Sequence, residues 1–381
     1  MTKNLDKIKK KINIFVNNDP EWGGTYQYTG LIIKAIESKF DKSSINFYYA
    51  NKSWGKEFKS KGSFINLSFL NLMLAHILIF FESKKLAKLF SKILLPSLPK
   101  SFFDKEQIWI FPSQDILSVI CNGKTVVWIN DLMHRYSNFK ETSSFLRKIY
   151  RDYLFKKIAR RSFRVLVDSK LGKNHVQESY GIFNNIRVQY FSALKIKFKK
   201  TNNPNVFGKY LIYPAQFWEH KNHIKLLLAI RIVKENFKDI KLILIGHKKK
   251  NFEKIKKICS ELNLNKNVTF LGFVSEQKKA LLISNARALI NPSVLGPTNT
   301  PQLEAFNYGC PVLLSNIFAA KEQCTNSVIY FNPYSEKSIS KSIKKIWNDN
   351  KIFLVYKKKS NLISKKYSFE KYSKNLVKNI F

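Results

Sequence analysis

Short apolar runs rich in β-branched and aromatic residues recur along the chain. Between them lie longer stretches in which apolar positions return every three or four residues. The short runs predict strands at residues 12–16, 45–49, 108–111, 126–129 and 165–168. A second series follows at 210–213, 241–245, 268–271, 288–291, 312–315 and 328–331. The longer stretches predict helices, among them 29–40, 144–161, 221–236, 252–262, 275–285 and 301–308. Near-continuous apolar strands alternating with helices indicate parallel sheets covered on both faces. The pattern begins afresh near residue 208, after a polar, Lys- and Asn-rich stretch (195–208, with Pro204) that suits a linker. The expectation is an α/β protein of two doubly wound, Rossmann-like domains, 1–200 and 206–361. Such folds bind ligands outside the carboxyl ends of their strands, and a cleft between two of them is a natural substrate site.

Length agrees, since 381 residues suit two domains of roughly 150–200 residues each. Charge narrows the partners. A formal +41 suits nucleic acid, an anionic membrane surface or anionic small molecules. Part of it reflects genomic composition, because Lys, Asn, Ile, Phe and Tyr share AT-rich codons. Lys is spread along the whole chain, and no zinc-finger, RNA-recognition or homeodomain signature is present. Nucleic acid therefore ranks below a membrane surface. Cys121, Cys259, Cys310 and Cys324 form no CxxC pair and suit a reducing cytoplasm. The run 12–16 is too short for a signal peptide. Residues 64–81 are strongly apolar, but Asn66, Asn71 and His76 interrupt them, and Lys84, Lys85, Lys88 and Lys92 follow. A spanning helix needs about 20 apolar residues. This stretch suits a core helix or one lying on a membrane surface.

Candidate chemistry centres on residues 291–315, which read strand, Gly-Pro-Thr-Asn loop, helix, Gly309, Pro311, strand. Thr300 stands as N-cap, with Pro301 at the first helical position. A helix start offers unpaired N–H groups and a positive dipole end to a phosphate. Glu304 can accept from vicinal hydroxyls such as those of ribose. Alone, the pattern is equally a capped structural helix.

The whole string closely resembles the donor motif of glycosyltransferase family 4, which has the GT-B fold. Many members carry Glu-x7-Glu, and the second Glu corresponds to Glu304, implying ribose contact. Gly296 stands where the first Glu would be, as in a branch reading Gly-Pro-Thr-Asn-x-Pro-x-Leu-Glu-Ala. The loop N–H groups of Thr298, Asn299 and Thr300 must then do more. A second stretch, residues 213–223, places Lys221 where the family has a diphosphate-binding Lys, with Ala215 and Gln216 in place of Gly-Arg. Phe273 and Val274, after Gly272, resemble the segment that meets the base. In the first domain, Trp22-Gly23-Gly24 resembles the family's Gly-Gly loop. Residues 127–135 resemble its acceptor-side His-Asp-Leu-x-His-Arg stretch, with Asn130 for the first His and Asp131 and His134 matching. Ser169 resembles a helix N-cap, and residues 362–381 resemble the tail that packs back on the first domain.

The resemblance implies a retaining glycosyltransferase. It would move a sugar from a nucleotide sugar to a glycan or lipid-linked acceptor in cell-surface polysaccharide synthesis. Lys221, Glu304, Asp131 and His134 would be catalytic. No Asp-x-Asp motif occurs, so no cofactor or obligatory metal is expected. The expected location is cytoplasmic, at the inner face of the plasma membrane, with anionic lipid as partner and no nucleic acid. Two alternatives remain open at this point: a GT-B-like nucleotide-sugar epimerase or hydrolase, and a non-enzymatic basic binding protein.

Overall fold

The computed structural model describes residues 8–19, 23–58, 61–80, 89–93, 95–137, 139, 144–198, 207–296 and 298–381. Trp22, Phe81, Lys84, Lys85, Lys88, Pro297 and most of the predicted linker (199–206, with Pro204) lie outside them.

The chain divides into two compact units. Unit 1 takes residues 1–135, 144–190 and 370–381; unit 2 takes 136–143 and 191–369. Unit 1 is built on seven parallel strands in the order β3-β2-β1-β4-β5-β6-β7. These are β1 (Ile12–Val16), β2 (Ile45–Tyr49), β3 (Gly62–Phe64), β4 (Ile108–Phe111), β5 (Lys124–Trp128), β6 (Arg164–Val167) and β7 (Ile186–Val188). Helices α1 (Gly24–Lys39), α2 (Phe69–Leu78), α3 (Phe145–Arg161) and α4 (Lys170–Tyr180) belong to this unit. Ser68 starts α2 with a reciprocal capping box to Asn71. Ser169 caps α4 by accepting from the Gly172 N–H at 2.9 Å. Trp109, Phe111, Val127 and Ile158 are fully buried in its core.

Unit 2 has six parallel strands in the order β10-β9-β8-β11-β12-β13. They are β8 (Leu211–Pro214), β9 (Leu242–Ile245), β10 (Val268–Gly272), β11 (Ala288–Asn291), β12 (Val312–Ser315) and β13 (Ile329–Phe331). Its helices include α5 (His223–Lys234), α6 (Phe252–Glu261), α7 (Glu276–Asn285), α8 (Pro301–Asn307), α9 (Ala320–Cys324), α10 (Glu336–Asn348) and α11 (Asn350–Ser364). Strands β8, β9, β11 and β12 are almost wholly apolar and buried, as sheets covered on both faces require. The final helix, α12 (Phe369–Ile380), lies in unit 1 apart from its first residue. There the Tyr372 hydroxyl donates to that of Tyr28 at 2.9 Å, and Gln189 donates to the Tyr372 carbonyl at 3.3 Å.

Both doubly wound sheets expected from the sequence are present. Several local readings need correction. The apolar stretch 64–81 is not one helix: β3 ends at Phe64, and α2 begins at Phe69. β3 and β7 escape the pattern because each has three residues and stands at a sheet edge. Helix α1 starts at Gly24 rather than Thr29. Lys221 precedes its helix, in a 3-10 turn closed by Asn222 at φ 59°. The start of the predicted linker is packed: the Tyr308 hydroxyl accepts from the Ile196 N–H at 2.9 Å, within unit 2.

Candidate functional site

In a doubly wound sheet the crevice opens where the strand order reverses. In unit 2 that point lies between β8 and β11. The loops leaving these strands carry most of the predicted donor residues, and they are tied together. The His220 carbonyl accepts from the Val294 N–H at 2.9 Å and from the Ser293 hydroxyl at 3.3 Å. Asn222 donates to the Pro292 and Pro333 carbonyls at 3.1 and 2.8 Å.

The first loop is held from below. A Cβ on Gly246, which has φ 152°, would lie 2.2 Å from the Ala215 carbonyl oxygen, so only glycine fits there. The Gln216 Oε1 accepts from the Trp218 indole at 2.8 Å, while its buried Nε2 has no partner. Such a donor calls for an acceptor. Lys221 is fixed through its backbone, its carbonyl accepting from the Tyr213 hydroxyl at 3.0 Å. Beside it, His223 is buried between Phe217 and Tyr213, with ring centroids at 4.7 and 4.9 Å. Burial, with lesser contributions from Lys221 and His220, pushes its imidazole down to about 3, so it stays neutral.

The second loop leaves β11 and enters α8. Gly296 sits at φ 101°, where a Cβ would also press on the Asn299 side chain at 3.2 Å. The position at which the resembled motif often has Glu is therefore a glycine-favouring turn. Thr300 occupies the N-cap position but has helical backbone angles and makes no side-chain cap, which corrects its expected role. The loop is instead held by amides. Gln302 accepts from Asn291 at 3.2 Å and donates to the Gln323 Oε1 at 2.5 Å. Gln323 Nε2 donates to the Asn299 carbonyl at 3.0 Å. The Tyr367 hydroxyl donates to the Gln323 carbonyl at 2.6 Å. A small cleft results, lined by Asn291, Ser293, Gly296, Thr298, Asn299 and Ser315 together with Leu314, Ile317 and Ala320.

Glu304, half-buried in the first turns of α8, pairs with Lys279 of α7 at 2.9 Å through Oε1. Lys279 also meets Glu276 at 3.0 Å. Burial pulls the Lys279 ammonium down, but the Glu304 and Glu276 carboxylates outweigh it and hold it above the usual lysine range. Among the described residues, the structure gives Glu304 Oε2 no partner. On the far side, Gly272 turns at φ 67° and exposes Phe273, whose ring stacks on His247 at 4.3 Å. Val274, next in the chain, is half-buried.

The unit 1 candidates sit differently. Gly23 takes φ 60° at the start of α1, and Gly24 is exposed, with open space where a Cβ would point. Asp131 is exposed and accepts from the Met133 N–H at 2.9 Å, which caps a short helical turn. His134 is buried and bonds Asp152 at 3.0 Å; Asp152 also receives Arg135 at 2.9 Å and the Tyr180 hydroxyl at 2.9 Å. Burial outweighs Asp152 and lowers the His134 imidazole below its ordinary value.

Sequence reading did not find Lys279, His247, Gln302 or Gln323. Lys279 was hidden among many lysines, and the two glutamines, 21 residues apart, meet only after folding.

Known proteins share this architecture. Sucrose-phosphate synthase from Thermosynechococcus elongatus superposes with a TM-score of 0.74 at 13% identity, covering 97% of this chain and 98% of that one. Anabaena HepE in complex with UDP and glucose gives 0.73 at 13% identity, with the same coverage. These likenesses concern the fold. In sequence, the Salmonella typhimurium O-antigen chain mannosyltransferase RfbU is 29% identical over 216 residues, 56% of this chain. An uncharacterized glycosyltransferase of Methanocaldococcus jannaschii is 25% identical over 187 residues, 48% of this chain. The matches span 59% and 47% of these relatives' own lengths. The family model described as glycosyl transferases group 1 matches residues 195–369, nearly all of unit 2.

Proposed function

We propose that the chain is a retaining glycosyltransferase that moves a hexose from a nucleotide sugar to a glycan or lipid-linked acceptor. One observation carries this reading: the loops after β8 and β11, tied together inside the matched stretch, carry an unpartnered amide donor and a lysine, and the helix after the second loop carries a half-buried carboxylate. The Gln216 Nε2, the Lys221 ammonium and the N–H groups of Thr298 and Thr300 receive the diphosphate, while the Asn299 N–H expected beside them is turned to Gln323 Oε1 at 3.5 Å. Glu304 Oε2 accepts from the ribose hydroxyls; burial raises its carboxyl above the ordinary value, and Lys279 offsets part of that and holds the group in place. Phe273 on His247 offers a ring face to the base.

In the reaction, the bond from the anomeric carbon to the diphosphate breaks. The acceptor hydroxyl forms the new bond on the same face and gives its proton to the departing phosphate. The chain's part is to stabilise charge that grows on the diphosphate. On unit 1, Asp131 and His134 are the residues assigned to the acceptor. No metal takes part, so chelation by EDTA leaves turnover unchanged. The RfbU likeness favours mannose and an O-antigen-type polysaccharide; the HepE complex favours UDP as carrier.

Thermal shifts with GDP-mannose and UDP-glucose test donor binding and choose between them. Turnover is then followed in Lys221→Ala and Glu304→Ala. Each is expected to fall by about 10²–10³-fold with the fold intact. Undiminished turnover in either would overturn the site assignment.

A further inference from the structure

Unit 1 exposes large apolar side chains on two neighbouring helices. On α2, Phe69, Met73 and Ile77 are 83%, 43% and 51% exposed and recur every fourth residue, so they share one face. On α3, Phe145 and Leu146 are each 77% exposed and Ile149 is 52% exposed.

The two sets belong to one patch. His76 stacks on Tyr150 at 5.3 Å, and Phe80 stacks on Tyr153 at 4.8 Å. The Tyr153 hydroxyl donates to the Ile79 carbonyl at 3.1 Å. The contacts advance from His76 with Tyr150 to Ile79 and Phe80, in the turn that ends α2, with Tyr153, so the two segments run the same way. Their first turns therefore share one side of the unit. A water-facing surface rarely carries such a patch without a use.

Charge chooses the occupant. Helix α3 carries seven Lys and Arg residues and one acid, Asp152, which already holds His134, Arg135 and Tyr180. Helix α2 has no Lys, Arg, Asp or Glu. The patch is thus apolar with a cationic border. A second copy seated here would bring two chains of charge +41 face to face. Ile77, Leu146 and Ile149 offer nothing to a nucleic-acid backbone. Among the described residues, no helix is long and apolar enough to cross a membrane.

We propose that this face docks on an anionic lipid bilayer. The first turns of α2 and α3 enter the headgroup–acyl boundary, and Arg147, Lys148 and Arg151 meet lipid phosphates. This goes beyond the transferase reading and does not depend on it.

Co-sedimentation of the full chain with vesicles tests it. Vesicles of phosphatidylcholine with phosphatidylglycerol are expected to carry the chain down; phosphatidylcholine alone should bind it about tenfold less. Leu146→Ser with Ile149→Ser is expected to weaken binding about tenfold or more. The double variant should keep the wild-type Tm and circular dichroism, since both side chains already face water. Arg147→Gln with Lys148→Gln should weaken binding to the charged vesicles alone. Three results would overturn the proposal. The chain could ignore charged vesicles. It could bind them equally well after the apolar double substitution. It could run as a dimer on gel filtration that the same substitution splits, which would assign the patch to a second copy.

Discussion

Two residues of unit 2 show how burial sets charge. Lys279 and Glu304 are 13% and 18% exposed in their side chains, so removing Lys279 leaves Glu304 desolvated and unpaired, whereas Lys279 without Glu304 keeps Glu276 at 3.0 Å. Lys279→Met should cost about 3 kcal/mol in a denaturant titration. Adding Glu304→Leu should restore much of that loss, because a matched apolar pair needs no counter-charge. Nucleotide-sugar binding should not return with it, since the ribose acceptor is gone. Restored binding would show the pair to be purely structural. His223 makes a pH prediction. The unfolded chain takes up a proton near 6.5, whereas the folded imidazole stays neutral down to about 3. The unfolded state therefore binds more protons across that window, and stability falls as pH drops below about 6.5. In His223→Leu the fall between roughly pH 6.5 and 5, above most carboxylate titration, should be shallower. A Tm series against pH for both proteins measures the difference; parallel curves would contradict the assignment.

Elements bring these residues together, and only part of that was legible beforehand. The strand ends at 214 and 291 follow from apolar runs, and the loop residues after them follow from the family motif. The scaffold beneath the second loop does not. Gln302, Gln323 and Tyr367 are ordinary polar residues in sequence, and their bonds span 21 and 44 residues. Nor could sequence show that Thr300 would leave its cap unmade, because the amides hold the loop from the other side. Unit 1 gave less. His134 matches a motif, yet its burial against Asp152 depends on α3, whose packing face spacing alone does not fix. The glutamine scaffold has a testable consequence. Gln302→Leu fills the volume but leaves the Asn291 amide without its partner and the Gln323 oxygen with only the 3.5 Å bond from the Asn299 N–H. A loss of about 1–3 kcal/mol in stability is expected from denaturant titration. Nucleotide affinity should weaken as well, since the Thr298 and Thr300 N–H groups lose their fixed aim. An unchanged affinity would mean that the loop is organised by the ligand rather than by α8 and α9.

At the scale of the whole molecule, 67 basic residues face 26 acidic ones. Folding draws these charges together, so self-repulsion works against the native state. Few ion pairs among the described residues offset it, and the exposed ones, such as Lys124–Glu106 with side chains 46% and 82% exposed, contribute little. The buried Lys279–Glu304 pair is shielded from salt by its surroundings. Raising ionic strength shortens the screening distance from roughly 30 Å at 0.01 M to about 8 Å at 0.15 M. It should therefore raise Tm, because it weakens more repulsion than attraction. The same salt should release the chain from anionic vesicles, where attraction between opposite charges is what is screened. The two responses have opposite sign and a common origin, so they check each other. A Tm that falls with sodium chloride would mean that ion pairs, not repulsion, dominate the native state. A rising Tm with salt-resistant vesicle binding would shift the weight of docking from the cationic border to the apolar turns of α2 and α3.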